Sequence, residues 1–263
     1  MDLDLQGKVA LVSAASQGMG RATALSLARE GAKVAICARN QGPLDAAAEA
    51  IHKETNAEVL PFKADVSKAA DIKAFVDAVV GKWGGIDRLV VNAGGPPTGR
   101  LEALTEEQWT QAYELTFQSA VRLIRACAPS MKSRGGGGVV AITSISVKQP
   151  IENLLLSNTM RAAVVGLVKS LARELAADKI RVNAVAPGWI ATDRLKDLMR
   201  LRAEREKRKY EDIVAEGLRE VPLGRFGEPQ EVADLIAYLL SERAVYMTGN
   251  IIQMDGGLYR GIH

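Results

Sequence analysis

Short β-branched runs alternate with longer stretches of helical periodicity along almost the whole chain. This alternation constrains the fold, because a strand, a helix and a second strand in succession form a parallel βαβ unit. Several of the short runs are apolar at nearly every position, as expected for strands that helices cover on both faces. The sequence therefore predicts an α/β fold of three layers, in which helices flank a seven-stranded parallel sheet.

The apolar pattern and the capping residues give the expected bounds of these elements. The expected strands are Lys8–Ser13, Lys33–Ala38, Glu58–Lys63, Arg88–Asn92, Gly138–Thr143, Arg181–Ala186 and Ile251–Met254. The expected helices are Met19–Glu30, Pro43–Thr55, Lys68–Lys82 capped by Ser67, a long helix from the Thr105/Gln108 capping box to Met131, Leu155–Ala177 and Glu228–Leu240. Gly135–Gly138 is expected to be a flexible joint. No linker or repeat divides the chain, so we expect one domain over residues 1–263, with a helical substrate loop at about residues 190–220.

Composition and charge argue against several classes of protein. The chain has 263 residues, enough for one large core, and its net charge of +3 is too small to indicate nucleic-acid binding. Its two cysteines, Cys37 and Cys127, can form neither a disulfide framework nor a zinc site. We recognise no signal peptide and no apolar run long enough for a bilayer, and therefore expect a cytoplasmic protein that does not bind membranes.

The first expected strand leads into a turn of small residues and then into a helix. This junction reads Ser13-Ala14-Ala15-Ser16-Gln17-Gly18-Met19-Gly20. Backbone N–H groups and the positive end of the helix dipole point at an anion there, and side chains must be small. The junction predicts a dinucleotide site of the Rossmann type, in which Ser13 and Ala15 to Gly20 surround the pyrophosphate.

Further motifs follow in order along the chain. They are Asp65-Val66, Asn92-Ala93-Gly94, Pro187-Gly188-Trp189-Ile190-Ala191-Thr192 and the ending Thr248-Gly249…Asp255-Gly256-Gly257. Together with the first turn they resemble the short-chain dehydrogenase/reductase family, and within it the 3-oxoacyl-carrier-protein reductases. The family's first motif is TGxxxGxG, which Gly18 and Gly20 match, whereas Ala14 replaces the first glycine.

The resemblance implies an NAD(P)-dependent oxidoreductase that acts on a carbonyl or secondary alcohol, possibly 3-oxoacyl-like, and assembles as a homotetramer. It places Asp65 and Val66 at the adenine and the Asn92-Ala93-Gly94 motif in the cofactor site. It places the segment with Pro187, Gly188, Ile190 and Thr192 beside the nicotinamide. For Asp65, partnership with a helix dipole is an almost equally good interpretation.

The end of the second strand bears on the choice between NADP and NAD. It reads Cys37-Ala38-Arg39-Asn40 and offers no carboxylate to bind the ribose diol that distinguishes NAD. Arg39 could instead form two hydrogen bonds with the 2′-phosphate of NADP. We therefore favour NADP over NAD, and the alternative is that Arg39 is a solvated loop residue.

The family's catalytic tetrad of Asn, Ser, Tyr and Lys is largely replaced. The Lys169–Glu174 motif aligns the helix that precedes it, so the lysine position holds Arg161 and the tyrosine position holds Ser157. The serine is retained as Ser144, thirteen residues before Ser157, and the asparagine position holds Thr116. The resemblance thus implies a catalytic site of Ser144, Ser157, Arg161 and Thr116, with Arg161 also near the nicotinamide ribose.

These replacements leave the site electrostatically competent but poor in general acid. Serine is a weaker acid than tyrosine, whose pKa is near 10. Arginine keeps the positive charge that stabilises an oxyanion, but it cannot pass on a proton as lysine can. A slow or specialised reductase is one hypothesis, with water, the substrate or Lys148 as the proton source. The alternatives are a dinucleotide-binding protein without turnover, as a sensor or assembly partner, and an enzyme that catalyses elimination or isomerisation.

Other chemistry is not indicated. The only histidines are His52 and His263, so neither a serine–histidine hydrolase nor a histidine metal site is expected, and we assign no metal. Asp193–Lys209 carries eight Lys or Arg against four Asp or Glu. That basic segment is typical of a solvated helix; the sharper interpretation is a lid that binds an anionic substrate tail, such as a pantetheine phosphate.

Overall fold

The computed structural model describes residues 2–262 and contains one parallel sheet of seven strands. The strands are β1 (Val9–Val12), β2 (Lys33–Ala38), β3 (Val59–Lys63), β4 (Arg88–Val91), β5 (Gly137–Ile142), β6 (Ile180–Pro187) and β7 (Ile251–Met254). Their order across the sheet is β3-β2-β1-β4-β5-β6-β7. The predicted three-layer Rossmann fold is confirmed. Five of the seven strands differ from their expected bounds by one residue at one or both ends. The joint expected over Gly135–Gly138 is partly strand, since β5 begins at Gly137.

The helices of the described residues are α1 (Gly18–Arg29), α2 (Gln41–Thr55), α3 (Ala69–Trp83), α4 (Glu106–Ala112), α5 (Ser119–Ser133), α6 (Leu155–Glu174), α7 (Asp193–Glu206), α8 (Tyr210–Glu220) and α9 (Pro229–Leu240). Six of them form two layers, with α3, α5 and α6 on one face of the sheet and α1, α2 and α9 on the other. Leu11 packs into a core with α3, α5 and α6, whereas its neighbours Ala10 and Val12 pack with α1, α2 and α9. Alternate residues of a strand point to opposite faces, so both cores are built from the same apolar strands.

The strand order creates a crevice at one edge of the sheet. The chain runs outward from β1 through β2 to β3, then returns to place β4 on the other side of β1. Between β1 and β4, at their carboxyl ends, the connecting segments diverge and leave a space that ligands occupy in open α/β sheets. The turn of Ala14–Gly20 follows β1 at this edge, as predicted.

Two helix predictions need correction. Ser67 does not cap α3, because its Oγ donates instead to Asp65 Oδ1 at 2.8 Å, and α3 begins at Ala69 after Lys68. The long helix expected from Thr105 to Met131 is interrupted by a π-helical turn over Tyr113–Gln118 that separates α4 from α5. The Thr105/Gln108 capping box itself is confirmed. Single π turns inside helices often occur at functional sites, and this turn carries Thr116.

The segment after β6 folds as two helices, α7 and α8. They share a small core of Leu195, Met199, Ala203 and Ile213, with Trp189 packed against it. No separate helix was predicted for α8. Within residues 2–262, none of the helices combines the length and apolar character that crossing a bilayer requires.

The basic residues of α7 are largely paired with acidic ones. Arg202 forms ion pairs with Glu206 at 2.8 Å and with Glu216 of α8, and Arg208 also contacts Glu216 at 2.7 Å. Because these guanidinium groups already have carboxylate partners, they are poorly placed to bind an anionic substrate tail. The structure therefore weighs against the lid with a phosphate-binding role.

Candidate functional site

A cleft of about 560 Å³ lies at the carboxyl ends of the strands, beside the turn that follows β1. Seventeen of the predicted site residues line it: Ser16, Gln17, Gly18, Met19, Arg39, Asp65, Val66, Asn92, Ala93, Gly94, Ser144, Ser157, Arg161, Pro187, Gly188, Ile190 and Thr192. Ser13, Ala15, Gly20 and Thr116 are buried behind the cleft rather than on its wall. Among the described residues that line the cleft, none is a tyrosine.

The turn after β1 packs so closely against the start of α1 that Gly20 has no room for a side chain. A Cβ on Gly20 would lie 2.5 Å from the Ala14 carbonyl oxygen and 2.7 Å from Asn92 Nδ2. Gly18 begins α1 with φ +57°, a conformation that favours glycine. Ala14 also has a positive φ, +48°, at the position where the family motif has its first glycine. The open turn and the positive end of α1 fit a dinucleotide pyrophosphate.

Ser13 and Asn92 hold this turn in place from below. Ser13 Oγ donates to the Asn92 carbonyl at 2.7 Å, and the Asn92 amide N–H donates back to Ser13 Oγ at 2.9 Å. Asn92 Nδ2 donates to the Ala14 carbonyl at 3.0 Å, and the Ala15 N–H donates to the Cys37 carbonyl at 3.0 Å. These contacts tie the ends of β1, β2 and β4 together, so the polar groups of Ser13 and Asn92 position the turn.

Arg39 and Asp65 lie on the cleft wall beyond β2 and β3. Arg39 is exposed, and no carboxylate within residues 2–262 lies within 4.0 Å of its guanidinium. Asp65 is engaged locally: its Oδ1 accepts from the Ser67 N–H at 3.0 Å and from the Ser67 hydroxyl. The guanidinium of Arg39 is therefore available to an anion, whereas the Asp65 carboxylate organises the turn before α3.

Ser157 and Arg161 meet at the other end of the cleft. One turn of α6 separates them, which places both on the same helix face. Arg161 Nε donates to Ser157 Oγ at 3.1 Å, and Arg161 Nη1 donates to the carbonyls of Ile142 at 3.0 Å and Thr143 at 3.2 Å. Because Ser157 Oγ accepts from Arg161, its own hydrogen points elsewhere and can be donated to a ligand.

Arg161 has no carboxylate partner within residues 2–262. Burial, and then the charge of Arg194, lower its pKa to about 10, so it remains cationic at neutral pH. Arg194 itself donates from Nη2 to the Pro96 carbonyl at 2.9 Å and lies so close to Gly95 that a Cβ there would be 2.7 Å from its Nε. Two guanidinium groups thus make this end of the cleft favourable for negative charge on a ligand oxygen.

Ser144 lies on the wall of the cleft, whereas Thr116 is buried behind it. Ser144 lines the cleft after β5, and its Oγ accepts from the Ser146 N–H at 3.1 Å. Thr116 is buried, and its Oγ1 has no hydrogen-bond partner in the described part of the chain. It faces a cavity of about 10 Å³ on the inner side of Arg161, about the size of one water. Lys148 is exposed and lies over the Tyr259 ring, so it does not line the cleft.

The cleft also contains residues that the sequence did not single out as site residues. They include Gly95, Leu115, Ile151, Leu154, Trp189, Arg194, Leu195 and Leu198. The signal that could have identified Arg194 is its place two residues after Thr192, which caps α7 and lies against Gly18 of the phosphate turn. Leu195 and Leu198 come from α7 and Leu115 from the π turn, and the others come from loops that only the fold brings to this edge.

Neither cysteine can supply chemistry at this site. Cys37 and Cys127 are buried in the core, and burial raises the pKa of both thiols to about 12. Thiols with so high a pKa stay protonated at neutral pH and are poor nucleophiles. Apart from amides, the polar side chains of the cleft are therefore hydroxyls, guanidinium groups and the carboxylates of Asp65, Asp193 and Asp197.

Comparison with known proteins gives consistent relatives over nearly the whole chain. The enoyl-(acyl carrier protein) reductase family model matches residues 13–259. Dehydrogenase/reductase SDR family member 4 of Oryctolagus cuniculus is 38% identical, over 96% of this chain and 94% of the relative. A 3-oxoacyl-(acyl-carrier-protein) reductase of Staphylococcus epidermidis is 34% identical, over 96% of this chain and 99% of its own.

A solved structure has the same fold over the whole chain. The L-sorbose reductase of Gluconobacter frateurii, complexed with NADPH and L-sorbose, has a TM-score of 0.95 at 33% identity, with 100% of both chains covered. The family match, the curated relatives and this structure agree with the strand order and with the turn at the end of β1. The chain therefore belongs to the short-chain dehydrogenase/reductase family of oxidoreductases and is similar to its 3-oxoacyl-(acyl-carrier-protein) reductases.

Proposed function

We propose that this protein is an NADP-dependent oxidoreductase that interconverts a carbonyl compound and a secondary alcohol with Ser157 and Arg161 in place of the usual tyrosine and lysine. The observation that carries the proposal is the Arg161 Nε–Ser157 Oγ contact of 3.1 Å on the wall of the cleft. It couples a cation to a hydroxyl whose hydrogen is available, and both are needed where negative charge develops on a carbonyl oxygen.

The residues of the cleft fit a dinucleotide. The turn of Ser16 to Met19 would hold the pyrophosphate, and Arg39 would hold a 2′-phosphate, which favours NADP over NAD. That NADPH accompanies L-sorbose in the similar reductase of Gluconobacter frateurii supports this choice and a carbonyl substrate. When bound, the cofactor supplies or accepts the hydride.

Arg161 stabilises negative charge on the substrate oxygen, and Ser157 donates a proton to it. Arg161 is cationic at neutral pH because its pKa is about 10, and two backbone carbonyls fix its guanidinium beside the substrate oxygen. Ser157 donates its hydrogen to the same oxygen and passes on a proton from water in the open cleft. Ser144 lies on the same wall and supplies a second hydroxyl. Serine is a weak acid, so the reaction should be slower than in a tyrosine enzyme.

Replacing Ser157 with alanine tests this division. We expect kcat for carbonyl reduction to fall about tenfold to hundredfold, the low end of the effect of an acid catalyst, since water can replace part of the proton supply. NADPH binding should change little. The measurement is NADPH consumption at saturating cofactor over a panel of ketones.

Ser170→Ala is the matched control, because Ser170 lies on α6 with its Oγ bonded to the Gly166 carbonyl, away from the cleft. It should leave kcat unchanged. Equal rates for Ser157→Ala and the unmodified protein would contradict the assigned role of Ser157.

A further inference from the structure

Arg194 is a cation of the cleft that the proposed reaction does not use. In that reaction Arg161 alone stabilises the negative charge on the reacting oxygen. Arg194 lines the same cleft, close enough for its charge to lower the pKa of Arg161. Two like charges held near each other repel, and a negative charge near both offsets that repulsion. The reactive end of the cleft therefore favours a ligand with an anionic group in addition to the reacting oxygen.

The guanidinium of Arg194 has a fixed position but keeps free N–H groups. Its Nη2 donates to the Pro96 carbonyl at 2.9 Å, and it packs against Gly95, which has no side chain to displace it. Nη1 has no acceptor in the described part of the chain, and Nη2 keeps one of its two hydrogens free. Arg194 is exposed, so a ligand in the cleft can reach these groups. Together they can form the paired hydrogen bonds that a carboxylate accepts.

No carboxylate of the described chain lies within ion-pair distance of Arg194. Two carboxylates, those of Asp193 and Asp197, line the same wall of the cleft. Asp193 is paired with Lys196 at 3.1 Å. Asp197 is paired with Arg200 at 3.5 Å. Because both carboxylates have their own cations, the positive charge of Arg194 remains available to a ligand.

This charge arrangement fits a carboxylate better than a phosphate. A carboxylate carries one negative charge, which the single guanidinium of Arg194 neutralises. A phosphate dianion would bring a second negative charge close to Asp193 and Asp197, while Arg161 is engaged by the reacting oxygen. That second charge would lose its hydration without gaining a cationic partner.

We propose that Arg194 binds a carboxylate of the substrate, which is then an oxo acid whose carbonyl lies at Ser157 and Arg161. This proposal rests on the proposed function, since that function places the reacting carbonyl. The other anion near this wall is the cofactor pyrophosphate, because Thr192 lies against Gly18 of the phosphate turn. We favour the substrate because the charge of Arg194 acts on Arg161, at the reactive end of the cleft.

Binding to the protein saturated with NADP⁺ tests this assignment without turnover, because the oxidised cofactor cannot reduce a ketone. The probes are pyruvate, acetoacetate and levulinate, in which the carboxylate is one, two and three bonds from the carbonyl carbon. Each is paired with its methyl ester, and dissociation constants are measured by ligand-observed NMR titration. For at least one pair we expect the acid to bind about three- to thirtyfold more tightly, the effect of charge-assisted hydrogen bonds that solvent partly screens.

Removing the charge of Arg194 separates its effect from those of Arg161 and the cationic nicotinamide ring, which also attract an anion. Arg194→Gln should lower the preference for the acid at least about threefold. Arg194→Lys should keep part of the preference, since lysine retains the charge but not the paired hydrogen bonds. The matched control is Arg219→Gln, the same change at an exposed position of α8 outside the cleft, and it should retain the full preference.

Three results would overturn the proposal. They are esters that bind as tightly as their acids in every pair, no binding of any acid up to its solubility limit, and an acid preference that Arg194→Gln leaves intact. If the preference is intact while Arg194→Gln weakens NADPH binding in a fluorescence titration, the anion at Arg194 is the cofactor pyrophosphate.

Turnover of NADPH, measured separately with a panel of charged and uncharged ketones, distinguishes this proposal from the proposed function. An acid preference that depends on Arg194, without turnover of any ketone, would leave the carboxylate site standing and remove the reductase. Turnover of ketones without an acid preference would do the reverse.

Discussion

Replacing Arg161 with methionine should lower kcat for carbonyl reduction by about 10²- to 10³-fold, the effect of removing one group that stabilises an oxyanion. Methionine keeps much of the apolar stem, so the change removes the charge and the contacts to Ser157 and to the carbonyls of Ile142 and Thr143. Cofactor binding should also weaken if Arg161 takes the place of the family's lysine at the nicotinamide ribose, as we propose. Steady-state rates and NADPH titrations measure the two effects.

Two further variants isolate the role of the charge. Arg173→Met removes the same charge from an exposed position of α6 and should change neither rate nor binding. Arg161→Lys keeps a cation and should recover part of the rate. Burial lowers the pKa of Arg161 only to about 10, so the guanidinium stays cationic and should contribute nothing to the pH dependence of the rate near neutral pH. Unchanged binding and turnover in Arg161→Met would mean that catalysis lies elsewhere or is absent.

Arg39→Asp should weaken NADPH binding by at least about 10²-fold while changing NADH binding only a few-fold. The guanidinium can donate two charge-assisted hydrogen bonds to a 2′-phosphate, and the aspartate would repel it. In the unmodified protein no carboxylate in the described chain pairs with Arg39, so the effect should not arise from a lost ion pair. The measurement is a fluorescence titration with each dinucleotide.

Arg125→Asp is the control for Arg39→Asp, since it reverses the same charge at an exposed position of α5 outside the cleft. Neither dinucleotide should lose affinity. If Arg39→Asp weakened NADPH and NADH equally, Arg39 would be a solvated loop residue and the preference for NADP would have no basis at this position.

The strands and most of the helices could be predicted because burial on both faces leaves an unmistakable apolar pattern. Each expected strand is present, and the α1 turn lies at the predicted edge. The pattern failed where local hydrogen bonds compete with helix periodicity. Ser67 bonds Asp65 instead of capping α3, and a π turn carries Thr116 inside what looked like one helix.

The site was predictable where it lies in contiguous motifs and was missed where only the fold assembles it. Spacing along α6 placed Ser157 beside Arg161, because residues four apart share a helix face. The approach of Arg194 to Gly95 brings together two segments that are distant in sequence. The excess of positive charge in Asp193–Lys209 suggested a lid that binds an anionic substrate tail. The sequence alone does not show that Arg202 and Arg208 pair with Glu216.

Transfer of deuterium from NADPH labelled at C4 of the nicotinamide to the carbonyl carbon of a ketone tests directly whether this protein is a reductase. We expect a deuterated secondary alcohol from at least one member of a panel of ketones, formed in proportion to the NADPH consumed and more slowly with Ser157→Ala and Arg161→Met. Tight binding of NADPH with no deuterium in any product would contradict the proposed function and indicate a protein that binds the dinucleotide without redox turnover.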